Sequence, residues 1–109
     1  MNNITISGNL YSDVQMKELP NGTSCAEFGI AVNKKVGDKK DVSFFRVKAY
    51  GFTAKQCGEM KKGDSVLVSG ELKQERWEKD GKKMEKVVIV AFSIGMIKTQ
   101  KNNIEEVPF

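Results

Sequence analysis

Apolar and polar residues alternate along much of this chain, which is typical of strands with one buried face. Alternation begins at residues 4–7 and returns at 14–19, where residues 20–22, Pro-Asn-Gly, predict a turn. Over residues 26–32 the large apolar side chains all fall on one face of a predicted strand. The residues that we expect in the core are Ala26, Phe28, Ile30 and Val32.

The segment 42–50 predicts a strand whose two faces differ sharply. We expect one face to be buried and the other to be exposed, because only the first lacks charge. The first face is Ser43, Phe45, Val47 and Ala49. The second face is Phe44, Arg46, Lys48 and Tyr50.

The second half of the chain predicts one short helix and two long strands. Residues 53–60 favour a helix with Thr53 as its N-cap, which residues 62–64 would end. A further strand runs through charged residues to Asp80-Gly81, a strong hairpin signal, and returns through the apolar run 87–92 to a final extended segment at 93–98. Val66, Val68, Gly70 and Leu72 alternate along the outgoing strand.

Five or so strands with one short helix between the third and fourth predict an all-β protein with the OB-fold, a five-stranded Greek-key β-barrel. An SH3-like barrel would lack the helix at this place, and an α/β fold would need helices between most strands. We expect one OB-fold domain over residues 1–98. Residues 99–109 are expected to form a short flexible linker and an acidic tip.

Composition favours a binding protein over an enzyme. A chain of 109 residues has room for one core, and histidine, the commonest general base and metal ligand, is absent. Cys25 and Cys57 have no metal-ligand spacing, so we expect two buried thiols, no metal, no cofactor and no catalysis. The apolar runs are too short to cross a membrane and no signal peptide is recognisable, which predicts a cytoplasmic protein.

The predicted exposed face at 42–50 alternates aromatic rings with cations, which suits single-stranded nucleic acid. Unpaired bases stack on rings at about 1–3 kcal/mol per base, and phosphates attract Lys and Arg. The net charge of +4 agrees with a polyanionic partner. The candidate nucleic-acid-binding residues are Phe44, Arg46, Lys48, Tyr50, Trp77, Arg76, Lys73, Lys34 and Lys35.

Structural alternatives to these assignments remain open at this point. Phe44 and Tyr50 would also serve as strand aromatics packed under loops, and Trp77 as a plug at one end of the barrel. The lysine-rich segment 34–40, predicted as a hairpin loop turning at Gly37-Asp38, would also serve as solvated surface.

The C-terminus combines acidic and apolar residues in a way that suggests a partner. Chain ends are normally polar, so a terminal Pro-Phe favours docking into an apolar pocket of another protein, with the carboxylates meeting basic residues on its rim. Packing of Phe109 on its own barrel is the alternative. The candidate partner-binding tip is Glu105, Glu106, Val107, Pro108 and Phe109.

Taken in order, these motifs resemble the bacterial single-stranded DNA-binding protein family over nearly the whole chain. The resemblance implies an OB-fold, usually a homotetramer, that coats single-stranded DNA with little sequence preference in DNA replication, recombination and repair. It also implies stacking by Phe44, Tyr50 and Trp77, and recruitment of replication and repair proteins by the tip. The segments that carry it are 7–10 (Ser-Gly-Asn-Leu), 19–22 (Leu-Pro-Asn-Gly), 44–47 (Phe-Phe-Arg-Val), 50–51 (Tyr-Gly), 61–64 (Lys-Lys-Gly-Asp), 68–72 (Val-Ser-Gly-Glu-Leu), 76–77 (Arg-Trp) and 105–109.

Three departures from the family pattern affect these expectations. Val36 stands where the family often has a tryptophan, which predicts the loss of one stacking site, and Phe44 replaces a commonly seen tryptophan with a smaller ring. The linker is reduced to about residues 99–104, which would limit the reach of the tip. An RNA-binding OB-fold module and an oligomeric interaction adaptor remain as alternative functions.

Overall fold

The computed structural model describes residues 1–98, which form six strands and one short helical segment. The helical segment lies between the fourth and fifth strands and not, as predicted, between the third and fourth, because one short additional strand precedes it. The elements are β1 Ile4–Leu10, β2 Gln15–Glu18, β3 Ser24–Val36, β4 Lys39–Tyr50, α1 Gly51–Gln56 with a 3-10 turn at Cys57–Glu59, β5 Ser65–Lys79 and β6 Lys82–Lys98.

Five of the strands close into a barrel in the order β1-β5-β6-β4-β3, and β3 returns to pair with β1. The strand β2 adds to the outer edge of β3. All pairs are antiparallel except β4 with β6, which pair in parallel at Val47 with Ile89 and Lys48 with Val90. The predicted OB-fold architecture of a small Greek-key barrel is therefore confirmed.

The core follows the period-2 pattern of the strands. Phe28 and Ile30 of β3 are fully buried, and so are Val66 and Val68 of β5. Val32 is partly buried and packs against this cluster. The prediction that both cysteines are buried is also confirmed, since Cys25 and Cys57 are free thiols inside the protein and burial raises the pKa of Cys57 to about 11.

Two hairpins extend beyond the barrel, and the burial predicted for Ser43 and Phe45 beside them is wrong. No side chain is buried from residue 33 to 45 in the β3–β4 hairpin, or from 72 to 87 in the β5–β6 hairpin. Ser43 is exposed, Phe45 is 39% exposed and Leu72 is 45% exposed. Phe45 lies opposite the buried Ile30 and Leu72 opposite the buried Ile89, so both are on the core side of their strands. They lie where the barrel gives way to the hairpins, and the fold covers them only in part.

Both hairpin turns lie where the sequence predicts them, and the first loop is shorter than predicted. β3 reaches Val36 and β4 begins at Lys39, so most of the lysine-rich segment is strand and only Gly37-Asp38 forms the turn. Asp80 and Gly81 connect β5 to β6 with positive φ angles of 51° and 79°, as a two-residue type I′ turn requires.

The helix begins earlier than predicted, so the assignment of Thr53 as its N-cap is wrong. α1 starts at Gly51, and the N-cap position is Tyr50, which makes no side-chain capping hydrogen bond. The Thr53 hydroxyl instead donates to the carbonyl oxygen of Phe92, at 3.3 Å. Thr53 therefore ties the helix to β6 and does not start it.

Candidate nucleic-acid interface

The exposed side of β4 is built as the sequence predicts. Because Val47 and Ala49 are fully buried, the alternate residues of the strand must point outward. Phe44 is 62% exposed and Tyr50 is 40% exposed, so neither ring is packed under a loop. Partial burial of the Tyr50 hydroxyl raises its pKa, because burial disfavours the charged form.

A chain of contacts joins this side of β4 to Trp77 on the β5–β6 hairpin. The Lys48 ammonium nitrogen lies 2.7 Å from Glu75 Oε2, and Lys86 Nζ lies 3.8 Å from Glu75 Oε1. The same Lys86 nitrogen is 5.7 Å from the centroid of the Trp77 ring, within cation–π range. We call the surface formed by Phe44, Arg46, Lys48, Tyr50, Glu75, Trp77 and Lys86 the aromatic face.

Trp77 is 41% exposed, so it does not plug the barrel. It pairs with Met84 across the hairpin. The two side chains line a cavity of about 490 Å³ beside the hairpin tip. The indole is thus partly packed against the hairpin and partly exposed to solvent.

Two carboxylates partly neutralise the cations of the aromatic face. Glu75 accepts a hydrogen bond from Lys48, and this bond lowers the pKa of Glu75 and raises that of Lys48. Glu27 lies 3.5 Å from a guanidinium nitrogen of Arg46. The cations Arg46, Lys48 and Lys86 are therefore each held by a carboxylate of the protein itself.

The remaining predicted residues divide between the two sides of the hairpins. By strand alternation Lys73 shares the side of Glu75 and Trp77, and Lys35 shares the side of Phe44. Arg76 and Lys34 fall on the opposite side of their strands. Arg76 there bonds to the Gln74 side chain, at 2.5 Å.

Sequence reasoning missed Tyr11, Glu75 and Lys86 as neighbours of this surface. Tyr11 follows β1, and its ring centroid lies 5.2 Å from that of Phe44 with an interplanar angle of 87°. A lone Gly29 in a strand is the sequence signal for such a close approach. Glu75 is two positions before Trp77 on the same strand, so strand alternation could have placed it on the same side. Val36, where a stacking ring is absent, is itself exposed at the tip of the β3–β4 hairpin.

The described part of the chain contains no candidate metal site. Among residues 1–98, no group of three or more His, Cys, Asp or Glu side chains is placed to hold a metal ion. Within the same residues, no helix is long and apolar enough to cross a membrane. The predicted tip, from Glu105 to Phe109, lies outside the described residues, as does the predicted linker.

The barrel and its aromatic face define a class of protein, namely the OB-fold proteins with a stacking and cationic surface for unpaired nucleic acid. Residues 1–97 match the single-strand binding protein family. The chain therefore belongs to the single-strand binding protein family, which confirms the resemblance. The proteins of this family are binding proteins and not enzymes, so the protein is non-enzymatic.

Individual relatives agree with this assignment. The chain is 39% identical over 107 residues to the single-stranded DNA-binding protein of Aquifex aeolicus, covering 93% of this chain and 73% of that one. It is 35% identical over 103 residues to the protein of the same name from Wolinella succinogenes, covering 88% of this chain and 64% of that one. The chain thus spans about two thirds to three quarters of their length.

A solved structure confirms the fold. The Plasmodium falciparum SSB in complex with ssDNA superposes with a TM-score of 0.80, covering 92% of this chain and 96% of that one. Sequence identity between the two is 21%. At this identity, the match establishes the OB-fold of the chain.

Proposed function

We propose that this protein binds and coats single-stranded DNA with little sequence preference. The observation that carries the proposal is the aromatic face, on which three exposed rings alternate with cations. Phe44, Tyr50 and Trp77 offer stacking surfaces to any base, and Arg46, Lys48 and Lys86 attract the phosphates between them. Rings and cations recognise the flat bases and the phosphates that all nucleotides share, which agrees with coating.

The fluorescence of Trp77, the only tryptophan, provides the direct test. Titration with an oligo-dT strand is expected to quench Trp77, and the affinity should fall as salt is raised, because phosphate contacts release counterions. Duplex DNA, whose bases are already stacked, is the matched control and should quench weakly. Absence of quenching with either ligand would contradict the proposal and favour an adaptor. Tighter binding of oligo-U than of oligo-dT would favour an RNA-binding module.

We also propose that the protein assembles as a homotetramer. β1 pairs with β5 over six residues but with β3 only at Asn9 and Leu10, so most of its second edge makes no strand pairing within residues 1–98. Leu67, Phe92 and Ile97 are exposed apolar residues on β5 and β6. A mass near four times 12.2 kDa by light scattering would support assembly, and a monomer at micromolar concentration would contradict it.

The proposed biological role is DNA replication, recombination and repair in the cytoplasm, at the nucleoid. The acidic tip from Glu105 to Phe109 recruits the enzymes of these processes through its terminal Pro-Phe. Deleting residues 107–109 is expected to remove binding to such partners and to leave oligo-dT binding unchanged. An interaction adaptor would behave differently, because the intact chain would then bind partners without binding DNA.

A further inference from the structure

Tyr11 occupies a place that Gly29 leaves open on the outer side of β3. A Cβ atom at Gly29 would lie 2.2 Å from Tyr11 Cζ and 2.4 Å from both Cε2 and the hydroxyl oxygen. Any other residue at position 29 would therefore displace the ring. Because Phe28 and Ile30 are in the core, Gly29 faces outward, and the tyrosine ring rests on the outside of the barrel.

The backbone fixes Tyr11 at this place. Its amide donates to the carbonyl oxygen of Gly29, at 3.1 Å, and the amide of Gly29 donates to the hydroxyl of Ser12, at 3.2 Å. Two hydrogen bonds at adjacent residues thus hold the start of the β1–β2 connection against β3. The ring is partly buried, so its position is set before any ligand arrives.

The Tyr11 and Phe44 rings together form a corner. Their planes meet at 87° with centroids 5.2 Å apart, an edge-to-face arrangement that is favourable for aromatic pairs. Phe44 lies opposite Ala31, whose small side chain leaves its ring open, and Arg46 lies opposite Gly29. The corner therefore has the exposed ring of Phe44 and the hydroxyl of Tyr11. The cation of Arg46 lies close by, opposite the Gly29 on which the Tyr11 ring rests.

We propose that Tyr11 is a direct nucleic-acid contact, which forms with Phe44 a corner that takes one nucleobase. This inference rests on the proposed function and extends the aromatic face from β4 to the β1–β2 connection. The base stacks on one ring and meets the other at a right angle, while Arg46 reaches the adjoining phosphate. The corner provides a stacking site at a position that the strand pattern alone does not reveal.

Equilibrium binding of fluorescein-labelled oligo-dT to the full chain tests the contribution of the ring. Tyr11→Leu is expected to weaken binding about fivefold or more, since one base–aromatic stack contributes at least that factor. Tyr11→Phe retains the ring and should bind within about twofold of the wild type. Gly29→Ala leaves both rings in the sequence but displaces Tyr11, so it should reproduce the Tyr11→Leu effect. The matched control is Phe52→Leu, at an aromatic residue on α1 that is 75% exposed. It should leave the affinity for oligo-dT unchanged.

Photocrosslinking of the wild-type chain separates contact from support and does not depend on the folding of any variant. Oligo-dT carrying 5-iodouracil is irradiated in the complex, and the crosslinked peptides are identified by mass spectrometry. A crosslink at Tyr11 is expected. Crosslinks confined to other aromatic residues, or full affinity in a folded Tyr11→Leu variant, would overturn the inference while leaving the proposed function intact. Failure of the wild type to bind oligo-dT would overturn both.

Discussion

The barrel body and the two projecting hairpins are built from the same kind of strand, but they differ in what covers them. In the body, alternate residues such as Phe28 and Val68 are fully buried. In the hairpins the strands continue with unbroken pairing, yet no side chain is buried along residues 33–45 or 72–87. Phe44 and Trp77, which are proposed to bind DNA, therefore lie outside the core that holds the protein together.

This difference teaches that stability and binding can be changed independently. Truncating a body residue removes buried contacts and leaves a cavity, whereas truncating a hairpin residue removes a surface that water already reaches. Lys48 and Glu75 lie at the boundary, since they are partly buried and belong to the proposed interface. Experiments on the body, on the hairpins and at this boundary should give three distinct outcomes.

The largest effect is expected from truncation in the body. Phe28→Ala should reduce the free energy of unfolding by about 3–5 kcal/mol, the usual cost of removing a buried phenylalanine, which is a large part of the stability of a small domain. Urea denaturation followed by circular dichroism measures it, with Phe52→Ala as the control, expected within about 0.5 kcal/mol of the wild type. Comparable losses in the two variants would contradict the assignment of the core.

Truncation in the hairpin should weaken DNA binding and leave the stability of the fold almost unchanged. Trp77→Ala is expected to weaken oligo-dT binding by about 1–3 kcal/mol, since it removes one stacking ring, with a change in unfolding free energy of less than about 1 kcal/mol. Trp77→Phe retains an aromatic ring and should recover part of the affinity. Equal affinity of all three proteins, measured by fluorescence anisotropy of a labelled strand, would remove Trp77 from the interface.

The sequence predicts the body well because burial imposes a strict period of two. The strands and both tight turns follow from alternation and from turn residues such as Asp80-Gly81, and the fold class follows from the number of strands and the single helix. Phe45 shows where this reasoning ends, since it has the spacing of a core residue and lies opposite the buried Ile30 but is 39% exposed beside the hairpin. Where a strand passes beyond its covering layer depends on the whole fold, which local pattern does not contain.

The site shows a similar limit. Phe44, Tyr50 and Trp77 could be selected from aromatic residues among cations, and the structure places all three on one face. Tyr11 joins them only because Gly29 leaves room for its ring, a contact between residues 18 positions apart that periodicity does not report. The Lys48–Glu75 ion pair likewise connects residues 27 positions apart. Both depend on tertiary packing.

A smaller effect is expected from removing the carboxylate at the boundary. Glu75 holds Lys48 and Lys86, so a phosphate must displace it to pair fully with either lysine. Glu75→Gln should therefore tighten oligo-dT binding by up to about fivefold, corresponding to about 1 kcal/mol for one partly exposed ion pair. The logarithmic salt dependence should steepen by up to about 0.7 if one further phosphate is contacted.

The control for this variant is Glu78→Gln, which changes the net charge equally. By strand alternation Glu78 lies on the opposite side of β5 from Glu75, on the exposed hairpin. Its substitution should alter affinity much less, because only the general attraction of the protein for DNA increases. An equal gain in both variants would mean that net charge, and not release of Lys48 and Lys86, governs binding.

The smallest effect is the pH dependence of stability that the same ion pair produces. Its hydrogen bond lowers the pKa of Glu75 in the folded state, so its stabilisation is complete above the ordinary carboxyl pKa of about 4.3 and is lost as pH falls through the lower folded value. The pKa of Lys48 is raised, so its stabilisation is complete below about 10.4 and is lost as pH rises through the higher folded value.

The difference in unfolding free energy between the wild type and Glu75→Gln isolates this contribution from every other titrating group. It should be level, at about 1 kcal/mol or less, between about pH 5 and 10, and should decline at lower and higher pH. Urea unfolding of both proteins across this range measures it. A difference that persists unchanged at about pH 3 would show that Lys48 and Glu75 are not paired in solution. The proposed tightening of DNA binding by Glu75→Gln would then lose its physical cause, because there would be no internal partner for the phosphate to displace.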